Sequence, residues 1–299
     1  MSRVAIVTGG ASGIGRALGA ALVRRGDRVV LADVDGEAAA QVAERLTAAG
    51  PGVATAAAVD VRDGDAVASL VHGTAERHGR LDLLFNNAGL GIGGPAEELS
   101  PAHWDRTVDV NLRGVLHGVQ AAYPLMLRQG YGHIVNTASL AGLLPMPGSA
   151  PYATTKWAVV GLSLSLRGEA APRGVRVSVV CPSGVDTPIL DRGMPSDLPR
   201  VATAEVTDTR AMITKLSGGR LYSADDLAAD VLRGVERNRA VIVAPRQARI
   251  TWRLMRLSPS LLMRLSAAMA ARDSAAAPGG SPPAPTPTTE AAETDRPAS

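Results

Sequence analysis

The chain has one cysteine and only two lysines, Lys156 and Lys215, among its 299 residues; every other strong base is arginine. A single cysteine, Cys181, excludes an intrachain disulfide and any zinc site built from several cysteines. It ends a valine-rich strand pattern, where the expected role is that of a small buried hydrophobe. Aromatic residues make up 3% of the chain against 46% apolar residues overall, so the core has to be built from Ala, Val, Leu and Ile. No uninterrupted apolar run reaches the roughly 18 residues that a transmembrane helix needs. The N-terminus enters a strand at once, without an apolar signal region, and a cytoplasmic protein is expected. A formal charge of +3 is too mild to imply nucleic acid as a partner, and the five histidines are scattered, so no metal is expected.

Against these absences stands a regular alternation. Short β-branched runs at 4–8, 28–33, 53–59, 81–86, 133–138, 175–181 and 240–244 read as strands. Most are continuously apolar, as parallel strands covered on both faces are. Ala/Leu-rich segments at 14–25, 36–49, 63–78, 100–129, 151–171 and 223–238 read as helices. The alternation predicts an α/β fold, a doubly wound parallel seven-stranded Rossmann-type sheet in a single domain, residues 1–245. Residues 186–220 carry prolines, scattered charges and short apolar pieces, and read as a mobile substrate loop. Residues 273–299 hold almost no large apolar group, and a disordered tail is expected.

Two motifs carry chemistry. The first strand runs into Thr8-Gly9-Gly10-Ala11-Ser12-Gly13-Ile14-Gly15 and then a helix, the setting in which glycines let a backbone approach a pyrophosphate at a helix N-terminus. Asp33, at the end of the second strand, can accept hydrogen bonds from the adenosine ribose and would repel a 2′-phosphate. With no Arg or Lys at Ser12 or Val34, NAD is favoured over NADP. Asp33 could also open the turn Asp33-Val34-Asp35-Gly36, but Asp35 is the better candidate for that role. The second motif is Tyr152-Ala-Thr-Thr-Lys156, whose spacing puts phenol and ammonium one helical turn apart on one face. An ammonium beside a phenol is expected to lower its pKa and make it a usable acid/base.

Together these motifs resemble the short-chain dehydrogenase/reductase family over about residues 3–245. Further positions match in family order: Asp60-Val61 at the adenine, Asn86-Asn87-Ala88-Gly89 beside the cofactor, Asn111 in the helix, and Ser139 ahead of Tyr152. The resemblance implies an NAD(P)-dependent enzyme acting on CH–OH/C=O. Its catalytic residues would be Asn111, Ser139, Tyr152 and Lys156: Tyr152 exchanges the proton, Lys156 also binds the nicotinamide ribose, Ser139 donates to the substrate oxygen, and Asn111 positions a relay water. The implied cofactor-binding residues are Gly9, Ser12, Gly13, Ile14, Gly15, Asp33, Asp60, Val61, Asn87, Ala88, Gly89, Tyr152, Lys156, Pro182, Val185 and Thr187. One departure is Ser183, which stands where the family usually has glycine and puts the local backbone path in doubt. Relatives of the same fold also act as epimerases, dehydratases or enoyl reductases, and a non-catalytic nucleotide-sensing protein is a further alternative.

Leu90, Ile92, Leu140, Leu143, Leu144, Met146, Ile189, Leu190 and Met194 are the expected pocket walls. They are aliphatic and uncharged, which points to an apolar alcohol or ketone. Residues 151–171 are apolar nearly all round, and the resemblance implies a homodimer or homotetramer packed through this helix. Residues 246–272 contain six arginines (246, 249, 253, 256, 264, 272) and no acid, with Ile250, Leu254, Leu257, Leu261 and Leu265 at helical spacing. This basic amphipathic extension suits peripheral contact with an anionic membrane, a subunit interface or a cover over the active site.

Overall fold

The computed structural model describes residues 2–206, 208–260 and 263–264. Its strands in chain order are β1 (Val4–Thr8), β2 (Arg28–Asp33), β3 (Val53–Ala58), β4 (Leu83–Asn86), β5 (Gly132–Thr137), β6 (Val175–Pro182), β7 (Val185–Asp186), β8 (Tyr222–Ser223) and β9 (Val241–Ala244). Seven of them form one parallel sheet in the order β3-β2-β1-β4-β5-β6-β9, while β7 and β8 pair separately. The predicted doubly wound, seven-stranded α/β sheet is therefore the observed one. Its strand order reverses between β1 and β4, and the crevice at the carboxyl ends of two such strands is where this architecture binds ligands.

The helices are α1 (Gly13–Val23), α2 (Gly36–Ala49), α3 (Gly64–His78), α4 (Pro101–Val108), α5 (Gly114–Gln129), α6 (Ala150–Ala170), α7 (Ala202–Val206), α8 (Thr209–Leu216), α9 (Ala224–Glu236) and α10 (Ala248–Leu257). Helices α3, α5 and α6 bury Val71, Val119, Met126 and Val159 against one face of the sheet. Helices α1, α2 and α9 bury Leu18, Leu22, Val42 and Val231 against the other. Cys181 is fully buried in the first of these cores, as expected for a small hydrophobe.

Two stretches depart from expectation. The segment 100–129 is not one helix: a π-turn at Asp109–Arg113 separates α4 from α5. Asn111 lies in that turn, fully buried, and its side chain bonds backbone elsewhere in the chain. The 186–220 segment contains α7 and α8 rather than only loop. Arg210 anchors it, reaching Asp186 and Asp191 at 2.6 Å each, and Arg106 adds a contact to Asp197 at 2.5 Å. Within 246–272 only α10 and the residues to 260, with 263–264, are described; the expected tail at 273–299 lies outside the described residues. Among the described residues no helix is long and apolar enough to cross a membrane.

Candidate active site

The crevice is closed at its base by Thr8. Its hydroxyl accepts hydrogen bonds from the backbone N–H groups of Asn87 (2.9 Å) and Ala88 (3.0 Å), and its carbonyl accepts from Asn87 Nδ2 (3.0 Å). The loops after β1 and β4 are thus stitched together, a role for Thr8 that motif spacing alone does not reveal. Gly9 has φ +66°, and a Cβ there would come within 2.9 Å of Ala88 Cα. A Cβ on Gly15 would lie 2.0 Å from the Gly9 carbonyl oxygen. Both positions need glycine because backbone touches backbone.

Ser12 is the N-cap of α1 and makes no side-chain bond to the first helical turn. Instead its Oγ accepts a hydrogen bond from Arg192 Nη2 at 3.1 Å. Asp33 accepts from the N–H of Ala11 (3.0 Å) and of Asp35 (3.2 Å), so its carboxylate is fixed beside the glycine loop. Asp35, not Asp33, caps α2, accepting from Ala38 N at 2.9 Å. Asp60 is held by Arg62 at 2.6 and 2.8 Å, which keeps its carboxyl below the usual range. The Val61 carbonyl accepts from His117 Nδ1 at 2.8 Å. An uncapped helix start, glycine loop and fixed carboxylate form a donor and acceptor set that fits a dinucleotide's pyrophosphate and ribose.

Pro151 opens α6 and brings Tyr152 and Lys156 over the ends of β5 and β6. Lys156 is buried; its Nζ donates to the Thr137 carbonyl at 3.0 Å and lies 5.5 Å from the centre of the Tyr152 ring. Burial pushes the ammonium's pKa down to about 8. Burial also raises the Tyr152 pKa, opposed by the neighbouring Ser139 hydroxyl. The ammonium addresses the ring and a backbone carbonyl, and the Ser139 hydroxyl is a further influence toward the phenolate. Cys181, against the same groups, has its thiol pushed up to about 12 by burial.

Asn111 Oδ1 accepts from Leu90 N and its Nδ2 donates to Leu90 O, both at 2.9 Å. A Cβ on exposed Gly89 would meet Asn111 Oδ1 at 3.1 Å and Lys156 Nζ at 3.5 Å. Asn111, Ser139, Tyr152 and Lys156 therefore converge on one spot at the sheet's carboxyl edge. The side chain of Asn111 positions the backbone of Leu90.

Pro182 ends β6, Val185 and Thr187 follow it, and all three are buried. A Cβ on Gly13 would lie 3.1 Å from Thr187 Cγ2, so this loop crosses the glycine loop directly. Ser183 continues the sheet by donating its N–H to the Ala244 carbonyl (2.9 Å), and it is not among the residues with positive φ. The position therefore does not require glycine. At Gly184 a Cβ would stand 2.2 Å from Ser217 Oγ and 2.7 Å from Ile213 Cγ2, so α8 and the residue after it pack closely over this turn.

Of the expected pocket walls, Ile92 and Leu143 are corrected to core residues, packed with Leu99 and Val201 and against the sheet respectively. Leu90, Leu140, Leu144, Met146, Leu190 and Met194 are half-buried and Ile189 is exposed. A separate cavity of about 420 Å³ is lined by Asp186, Arg210, Thr214 and Arg220, and by none of the groups around Tyr152. Among the described residues no cluster of three His, Cys, Asp or Glu could hold a metal. Sequence spacing missed Arg192 and Arg210, whose partners are distant in the chain.

Residues 3–195 match the short chain dehydrogenase family. Levodione reductase from Leifsonia aquatica is 38% identical over 195 residues, covering 64% of this chain and 73% of its own. Momilactone A synthase from Oryza sativa subsp. japonica is 35% identical over 237 residues, covering 78% and 82%. A solved short-chain dehydrogenase/reductase from Burkholderia phymatum, in complex with NAD, superposes with a TM-score of 0.75 at 35% identity, over 87% of this chain and 95% of its own. With strand order, glycine loop and the Tyr152/Lys156 helix all in place, the chain belongs to the short-chain dehydrogenase/reductase family and is an oxidoreductase with an NAD-binding Rossmann fold.

Proposed function

We propose that this enzyme interconverts an apolar secondary alcohol and its ketone, using NAD(H) and Tyr152 as the acid/base. The observation that carries the reading is Tyr152 one helical turn from buried Lys156, whose Nζ lies 5.5 Å from the centre of the phenol ring and is held by the Thr137 carbonyl. When bound, the nicotinamide supplies the hydride acceptor or donor. Tyr152 takes the hydroxyl proton of the alcohol during oxidation and returns it to the carbonyl oxygen during reduction. Ser139 donates to that oxygen as negative charge develops on it. Lys156 supplies a positive charge beneath the phenol, and Asn111 holds the Gly89–Leu90 backbone that flanks both groups.

NAD over NADP rests on the fixed Asp33 carboxylate, which meets a 2′-phosphate with like charge. The apolar substrate class rests on the aliphatic, uncharged half-buried residues around the site. A homo-oligomer is supported by α6, where Trp157 and Leu164 are 45% and 44% exposed and Gly161 and Gly168 leave open space between them. Initial rates with NAD and NADP against a panel of steroid, terpenoid and aliphatic alcohols test the reading, with Tyr152→Phe as control. A loss of about 10² to 10⁴ in kcat with NADH binding retained is expected. Activity surviving that substitution sinks the mechanism.

A further inference from the structure

The amphipathic helix α10 lies outside the matched family region and takes no part in the reaction described above. Its inward side is settled. Ala248 is buried, Trp252 packs on the core beside the sheet, and Arg249 Nε donates to the Val243 carbonyl at 2.9 Å. At about 100° per residue, Ile250, Leu254 and Leu257 project on the side opposite Ala248 and Trp252. They are 63%, 53% and 82% exposed. Single exposed apolar side chains are ordinary, but three in one outward stripe, on a helix fixed by its other face, form a surface that lacks a partner within the described chain.

Charge decides what fits that stripe. Arg249, Arg253 and Arg256 run along one flank, Arg246 precedes the helix, and residues 245–272 contain no acid. Arg256 stacks over Trp252 at 5.6 Å, which orients the helix without neutralising it. We infer that α10 is a docking face for an anionic lipid surface, with Ile250, Leu254 and Leu257 entering the headgroup boundary and the arginines pairing with lipid phosphates. A second copy fits less well, because a twofold contact through this helix brings its arginines onto their own equivalents. The chain's own residues 273–299 carry acids but no Leu, Ile, Val, Met, Phe or Trp with which to cover the stripe. The helix follows β9, whose Ala244 accepts from Ser183 beside the reaction site.

The test is co-sedimentation of the full-length protein with vesicles of phosphatidylcholine alone and of phosphatidylcholine with phosphatidylglycerol. Binding is expected only to the anionic vesicles, and it should fall as salt rises. Leu254→Ser with Leu257→Ser should lower partitioning about tenfold or more. Arg253→Gln should lower it about fivefold, with dehydrogenase turnover unchanged in each variant. Equal binding to both vesicle types, or none to either, overturns the inference. So does a change in solution mass of the Leu254/Leu257 variant without vesicles, which would assign the stripe to a second copy. Melting temperatures of the variants confirm that each is folded.

Discussion

The hydroxyl of Ser139 acts on the phenol of Tyr152, opposing the rise in pKa that burial imposes on the tyrosine. It gives the proposed chemistry a directional pH signature. Ketone reduction needs the protonated phenol, which a raised pKa keeps populated through neutral pH. Alcohol oxidation needs the phenolate, so kcat/KM for the alcohol should climb with pH above neutrality. Removing the serine hydroxyl deletes one influence that favours the phenolate. In Ser139→Ala the oxidation profile should therefore move to higher pH, beyond any loss in its plateau. A profile that stays put or moves to lower pH contradicts this assignment.

Lys156 carries a stability cost that its function requires. Burial lowers its pKa from 10.5 to about 8, so keeping it charged at pH 7 costs on the order of 3 kcal/mol. Lys156→Met removes that cost but leaves the Thr137 carbonyl without its donor, which costs about 1 kcal/mol or more. The variant should be inactive yet more stable at pH 7 by roughly 2 kcal/mol. Above pH 8 the folded lysine is neutral while the unfolded one stays protonated to near 10.5, so wild-type stability rises with pH across that window. The gap between variant and wild type should narrow between pH 8 and 10.5 in denaturant titrations. A variant less stable than wild type at pH 7 argues against a charged lysine here.

The sheet was legible in the chain because most of its strands are short, nearly continuous apolar runs, and buried parallel strands need no alternation. The break between α4 and α5 was not. Apolar periodicity runs through 100–129 unbroken, and the π-turn coincides with Asn111 bonding the backbone of Leu90, 21 residues away. The same limit hid the ion pairs that hold the 186–220 segment. Arg210 meets Asp186 and Asp191 only once the chain has folded back, and nothing at positions 186–220 marks those acids as its partners. At the reaction site the residue identities were readable, while the direction in which Lys156 points was set by Thr137 on a neighbouring strand.

Gly118 illustrates a constraint that comes from a buried polar chain. A Cβ there would lie 2.0 Å from Asn86 Oδ1. Asn86 cannot swing away freely, since its Nδ2 donates to Asn136 (2.9 Å), which in turn donates to Ser163 (3.0 Å), all three residues being buried. Ala in place of Gly normally favours a helix by about 1 kcal/mol. Here overpacking and a strained hydrogen bond outweigh that gain, so Gly118→Ala should destabilise by about 2 kcal/mol and lower Tm by several degrees. Gly73→Ala in α3, where a Cβ meets nothing within 4 Å, should be neutral or stabilising. Thermal unfolding of the pair checks both signs, and equal shifts defeat the explanation.

Arg192 reaches from the substrate segment to Ser12 Oγ at 3.1 Å, which places a guanidinium at the N-terminus of α1. The glycine loop there offers backbone donors to a pyrophosphate, and a guanidinium adds a full charge to those partial ones. The side chain is exposed and lies on the loop that also carries Thr187 across Gly13. A dinucleotide in the crevice would give Arg192 a phosphate partner in place of the neutral hydroxyl. Arg192→Ala should then weaken NADH binding about tenfold or more, and flatten its dependence on salt. Tyr152 and Ser139 are left intact, so kcat at saturating cofactor should change far less than KM for NADH. Fluorescence titration at two ionic strengths reads both quantities. An unchanged Kd, or a loss confined to kcat, removes Arg192 from the cofactor site.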